Sequence, residues 1–150
     1  HFYVIDTRKD EQGILSYTLA VRSLDGSGPQ ERGIAMESQA NHRVRQPHTP
    51  VTFTLTNTGT AVDTDPALHA VDARAYLNSD VYRLSVSVEG EGWTAQLLNG
   101  LAAVESGESQ AIKVYVSQTD GSAPSANVIL RATSESDPSK TAAATVEVSR

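Results

Sequence analysis

The four histidines of the chain, His1, His42, His48 and His69, stand too far apart for any two to share a metal ion on one turn of helix or one tight loop. A zinc site announces itself by close pairs such as H-x-x-x-H, and no such pair occurs. They read as surface or loop histidines. Cysteine is absent, which removes thiolate ligands, thiol nucleophiles and disulfides together. No serine occupies a G-x-S-x-G elbow; Ser106, in Glu105-Ser106-Gly107-Glu108, belongs to a turn between strands. Carboxylates occur in pairs at Asp63/Asp65, Glu89/Glu91 and Glu135/Asp137, each in a loop or turn where acidic side chains solvate the backbone. A general acid and base need a pocket that separates their pKa values, and no pattern here predicts one. No catalytic residue is therefore assigned, and the ligand-binding residues stay unknown. A loop-built enzymatic site would have to draw on His69, Asp72 and Arg74.

Calcium is the one ion to weigh, because it accepts oxygen ligands from irregular loops. Its candidates are Asp63, Asp65 and Asp80, which bracket the longest irregular stretch, residues 60–78. Their spacing matches no EF-hand, and a solvated acidic loop is the simpler reading. Apart from calcium no cofactor is expected. Nucleotide-binding glycine motifs and N-x-[ST] sequons are also missing.

The elements that must position these residues are strands. Val51, Phe53 and Leu55 alternate with Thr52, Thr54 and Thr56; Tyr82, Leu84, Val86 and Val88 alternate with Arg83, Ser85 and Ser87. Glu89-Gly90-Glu91-Gly92 then predicts a reversal into a strand carrying Trp93, Ala95 and Leu97. The same period returns at Ile112, Val114 and Val116, at Val128, Leu130 and Ala132, and at Val146 and Val148. Phe2–Thr7 and Leu15–Arg22 predict an opening hairpin, and residues 33–45 a further strand or extended lead-in. Asp72–Leu77 has room for a turn or two of helix; helix is scarce elsewhere. Seven or more short strands without a βαβ rhythm predict an antiparallel two-sheet sandwich. Trp93 is expected as a core anchor, with a sugar-stacking platform as the competing reading.

The 150 residues suit one domain, and 39% hydrophobic content supplies a core. Twelve Lys and Arg against 18 Asp and Glu give a net charge of −6, which argues against nucleic-acid or anionic-lipid partners. No apolar run approaches the roughly 20 residues of a membrane helix. The opening at His1, inside a strand-like segment, reads as the start of a fragment. The Gly/Pro/Ser break at residues 25–30 divides the chain into an N-terminal hairpin, 1–30, and a sandwich, 31–150. That hairpin is either the end of a preceding domain or extra strands of this one.

Several pieces resemble the NEW3 and CARDB-like families of immunoglobulin-like domains in exported bacterial proteins. Val51-Thr-Phe-Thr-Leu-Thr-Asn57-Thr-Gly59 is similar to their V-x-N-x-G opening, Gly92-Trp93-Thr94 to their G-W strand start, and Val104 to Ser109 to the turn before the next strand. Ala126 to Val148 resembles the closing hairpin. The resemblance covers residues from about 50 onward. It implies an immunoglobulin-like or fibronectin III-like sandwich acting as a non-catalytic spacer, stabiliser or adhesion module. Its host would be a secreted or cell-surface protein, such as the C-terminal part of a peptidase or glycosidase. On this reading the fragment itself is no enzyme, and its partners are the neighbouring domains of its parent. The alternative is a module that binds carbohydrate or protein through clustered Tyr76, Tyr82, Tyr115 or Trp93.

Overall fold

Runs of Val, Thr, Ile and Leu at period two pack well only on a pleated surface with one face covered, and in the computed structural model each such run is a strand. The structure describes residues 1–21, 30–63, 67, 78–119 and 121–150. Eleven strands follow in order: β1 Phe2–Lys9, β2 Leu15–Val21, β3 Ala35–Ser38, β4 His42–Arg43, β5 Thr49–Thr56, β6 Ser79–Glu89, β7 Trp93–Leu97, β8 Leu101–Glu105, β9 Ser109–Gln118, β10 Ser125–Ser134 and β11 Thr141–Ser149. Among the described residues there is no helix, so the chain is all-β. The short helix expected at Asp72–Leu77 lies outside the described residues, as does the Gly/Pro/Ser break except for Gln30.

Two sheets share one core. One is five-stranded, in the order β4-β11-β10-β6-β8, and the other four-stranded, in the order β3-β5-β9-β7. The alternation fixes which side chains turn inward: Val51, Phe53 and Leu55 from β5, Val114 and Val116 from β9, and Val128, Leu130 and Ala132 from β10 are all buried in a single cluster with Tyr82 and Trp93. A slip of one residue in any of these strands would carry its apolar set to the wet face, so the cluster also pins the register.

Three features depart from the pattern read in the sequence. The strands on either side of the Glu89–Gly92 turn do not pair with each other: β6 lies beside β10 and β8, whereas β7 pairs with β9 in the opposite sheet. The turn is a crossover between layers, held by Trp93 N donating to Gly90 O and Thr119 N to Gly92 O. Gly92 is needed there, because φ is +76° and a Cβ would meet Ser122 Cα at 2.7 Å. Second, residues 101–105 form a strand, β8, whose inward residues Ala102 and Val104 include only one strong apolar signal. Third, the lead-in is split between the layers. β3 pairs antiparallel with β5, while β4 pairs parallel with β11, so the sheets are not wholly antiparallel.

The hairpin β1–β2 is a separate two-stranded antiparallel sheet with a bulge between Val4 and Asp6. It rests on the larger body through Tyr3, which is buried and donates from its hydroxyl to Glu135 Oε2 at 3.1 Å, and through Asn99, whose amide donates to Ile5 O.

Candidate functional site

The most elaborate polar arrangement among the described residues surrounds Asp80, at the start of β6. A carboxylate buried in a protein must be surrounded by donors, and Asp80 is. Its Oδ2 accepts Ser134 Oγ–H at 2.5 Å, and its Oδ1 accepts Ser136 Oγ–H at 2.7 Å and Val81 N–H at 2.8 Å. Arg32 Nη1 stands 4.0 Å from Oδ1 and donates to Ser79 O, while Nη2 donates to Gln30 Oε1. Ser134 Oγ in turn accepts the N–H groups of Ser136 and Asp137. Three separate stretches, 30–33, 79–82 and 134–137, are thereby tied at one point. Tyr82 joins them by donating to Gly33 O at 2.8 Å; burial first, and then the charge of Asp80, pushes its phenol well above the ordinary tyrosine range.

A serine hydroxyl on a carboxylate invites a nucleophilic reading, and the geometry opposes it. Ser134 is buried, its proton is committed to Asp80, and both its lone pairs receive backbone N–H groups, so no substrate carbonyl can reach it. The arrangement is a structural knot. A second knot lies beside it, just past the C-terminal end of β5, where buried Asn57 donates from Nδ2 to the carbonyl of Val104, the strand partner of Asp80, accepts Gly59 N–H on Oδ1, and exchanges backbone bonds with Gly107 and Glu108. Gly59 fits because a Cβ there would lie 2.6 Å from Glu31 O.

The expected site residues end up apart. Asp80 is spent in its knot, Asp63 is exposed, and Asp65 lies outside the described residues, as do His69, Asp72, Arg74 and Tyr76. His1 and His48 are exposed and His42 is half-buried; His48 holds a left-handed turn, with its N–H on Ser117 Oγ. No group of three or more His, Asp or Glu side chains among the described residues is placed to hold a metal ion. Among the described residues the aromatic platform is not assembled either. Trp93 is buried with its indole N–H on Ala123 O at 2.8 Å, Tyr82 is buried, and Tyr115 is half-buried. One open cleft, of about 470 Å³, lies between hairpin and body and is lined by Asp6, Arg8, Leu97, Leu98, Asn99 and Lys113 among others. Sequence reasoning missed this cleft, because it depends on where the hairpin docks.

A family model described as Peptidase M6-like domain matches residues 32–150. A protein of Arthroderma benhamiae whose name assigns it to the secreted metallopeptidases is 41% identical over 155 aligned positions, covering 99% of this chain and 23% of the relative. The chain thus spans about a quarter of that relative's length. Two proteases of Vibrio cholerae, the first of them described as secreted, give weaker structural matches. The serine protease VesC has a TM-score of 0.45 at 16% identity, covering 78% of this chain and 23% of that one. VesB has a TM-score of 0.38 at 14% identity, covering 80% of this chain and 32% of that one.

Two expectations fall with these findings. The likeness to the NEW3 and CARDB-like domains is overturned by the family match and the relative. Its motifs have local packing reasons: Asn57 and Gly59 form a clamp, and Gly92-Trp93 a crossover and core anchor, which a two-layer β fold can require whatever its ancestry. The expectation that the chain stands apart from enzymes is overturned too, since both findings group it with peptidases.

Proposed function

The chain belongs to the family of the Peptidase M6-like domain, and from that premise we propose that it is the β-sandwich module of a secreted metallopeptidase, bracing the enzyme of which it forms part. The observation that carries this reading is the 41% identity running along 99% of the chain to a protein named as a secreted metallopeptidase. The described residues do not fit a catalytic metal, as no donor set converges among them, so no step of peptide hydrolysis is derived through them. The metal chemistry would belong to other parts of the longer protein.

The fold reading that goes with this role is immunoglobulin-like. Its support is the strand order, with the lead-in shared between layers as β3 and β4, and with β5 and β9 facing β6 and β10. The unit would comprise residues 31–150, with the hairpin as an appended layer. The knots at Asp80 and Asn57 suit a brace, because they lock loops rather than open a site.

Expression of the longer protein tests the proposal. It is expected in the culture medium, hydrolysing an unstructured polypeptide such as casein, with activity lost to a chelator and restored by zinc. Deleting residues 31–150 should lower its yield and thermal half-life. Chelator-resistant hydrolysis, or none after zinc is supplied, would overturn the assignment.

A further inference from the structure

We infer that the outer face of the β1–β2 hairpin is a docking surface for the remaining folded part of the same polypeptide, and so joins this module to the peptidase it serves. The inference rests on the reading of the chain as part of a longer peptidase.

Strand geometry divides the hairpin into two faces. Register pairs Phe2 with Val21, Val4 with Leu19, Thr7 with Tyr17 and Lys9 with Leu15 on one face, and Tyr3 with Ala20, Asp6 with Thr18 and Arg8 with Ser16 on the other. The second face is the one that meets the body, through buried Tyr3 and its bond to Glu135. The first is apolar and bare: Phe2 is 79% exposed, Tyr17 57% and Leu19 54%. Among the described residues, seven of the eight large hydrophobic side chains left exposed belong to residues 2–21, and the eighth, Leu98, lines the cleft beneath the hairpin. Leu98 apart, the large apolar groups among the other described residues are at least partly covered, so this concentration on one hairpin marks an unfinished contact. A two-stranded ribbon is also marginal alone and gains from cover on both sides.

The occupant follows from length and charge. The relative aligned along 99% of this chain extends over about four times its length, so a large protein mass is attached to modules of this kind. The bare face has Lys9 as its only charged member, and the chain carries a net charge of −6. Among the described residues it lacks the basic rim that an anionic membrane would attract. An apolar protein surface held nearby by the chain itself meets it at high effective concentration.

The test uses the full-length protein with any native thiols removed and a single cysteine introduced as Leu19→Cys, or as Tyr17→Cys should the first variant fail to fold. Maleimide labelling is followed in the native and the denaturant-unfolded protein. The expected result is labelling at least tenfold slower in the native monomer than in the unfolded chain. Rapid labelling in the native monomer overturns the inference. So does protection that appears only at concentrations where the protein dimerises, which assigns the face to a second copy. Protection only in the presence of phosphatidylcholine vesicles overturns it in favour of a lipid surface. Casein hydrolysis measured on the same samples separates the two readings: inactive protein with a protected cysteine sinks the peptidase assignment alone, and active protein with an unprotected cysteine sinks the docking face alone.

Discussion

Replacing Asp80 by asparagine keeps the shape of the side chain and removes only its ability to accept on both oxygens, which makes it the sharpest probe of the buried knot. The carboxylate meets donors on each side: Val81 N–H and Ser136 Oγ–H at Oδ1, and Ser134 Oγ–H at Oδ2. An amide must turn its NH2 toward one of them. Facing Oδ1 it would oppose the fixed N–H of Val81. Facing Oδ2 it would oppose Ser134, whose Oγ already accepts from Ser136 N and Asp137 N and has no lone pair to offer. Either way a buried donor is left without an acceptor, at about 1–3 kcal/mol. Asp80→Ala should cost more, about 3–5 kcal/mol, because both serine hydroxyls lose their acceptor and Arg32 loses the opposite charge 4.0 Å away. Urea unfolding of the chain, followed by the fluorescence of its single tryptophan, Trp93, gives both values by linear extrapolation. An Asp80→Asn variant within about 0.5 kcal/mol of the parent, the range of ordinary surface changes, would refute the account of the knot as a saturated acceptor.

Trp93→Ala should destabilise by about 3–5 kcal/mol, since a large buried ring leaves a cavity and Ala123 O loses its partner; circular-dichroism unfolding checks it, and a near-parental midpoint would mean the ring does not anchor the core. Gly59→Ala should cost about 1–3 kcal/mol in the same assay, because its Cβ would stand 2.6 Å from Glu31 O and 2.9 Å from Asn57 Oδ1, and an unchanged stability would contradict that close approach. Tyr82 should stay protonated in the folded chain where an ordinary tyrosine ionises, near pH 10. Because its folded pKa is raised, the stability linked to it is fully present below the unfolded value and is lost as pH rises toward the folded one. Ultraviolet titration of the folded parent against Tyr82→Phe should give the same phenolate signal near pH 10, and a smaller signal in the variant would refute the burial argument. Asp137 is held below the usual carboxylate range, first by the hydroxyl of Ser139 and then by its N–H. Ser139→Ala should therefore raise the Asp137 pKa in a carboxyl NMR titration, and an unmoved value would deny the hydroxyl its part.

The strands themselves were legible because their signal is local. Val51, Phe53 and Leu55 need only the next few residues to declare a face, and the β10–β11 hairpin needs only the turn between its strands. Sheet membership was not, because the partner of β7 is β9, fixed by core packing across the layers rather than by the turn that precedes it. β8 escaped for a different reason: Ala102 fills an inward position where the space is small, and alanine carries little strand preference. The site residues were hardest. Asp80 looked like a loop carboxylate free to bind calcium, and only the return of Ser134 and Ser136 from 54 and 56 residues away makes it a buried acceptor. The motifs behind the overturned family likeness, Asn57-Thr58-Gly59 and Gly92-Trp93, proved to mark clamps and crossovers. Geometry of that kind recurs wherever two β layers meet, so it identifies architecture better than ancestry.

The parallel pairing of β4 with β11 has a mechanical consequence. Val148 and Ser149 lie beside His42 and Arg43, Val44 N donates to Ser149 O, and Arg43 Nε donates to Arg150 O. Tension entering at β4 and leaving after β11 pulls these two parallel strands past each other, with the cross-strand bonds lying across the line of force. Such bonds share the strain and must yield together, whereas bonds in a hairpin opened from its ends break one by one. Arg150, anchored on the hydroxyl and carbonyl of Ser122, adds a further hold beyond the last pair. A module closed in this way resists being drawn out along its own chain.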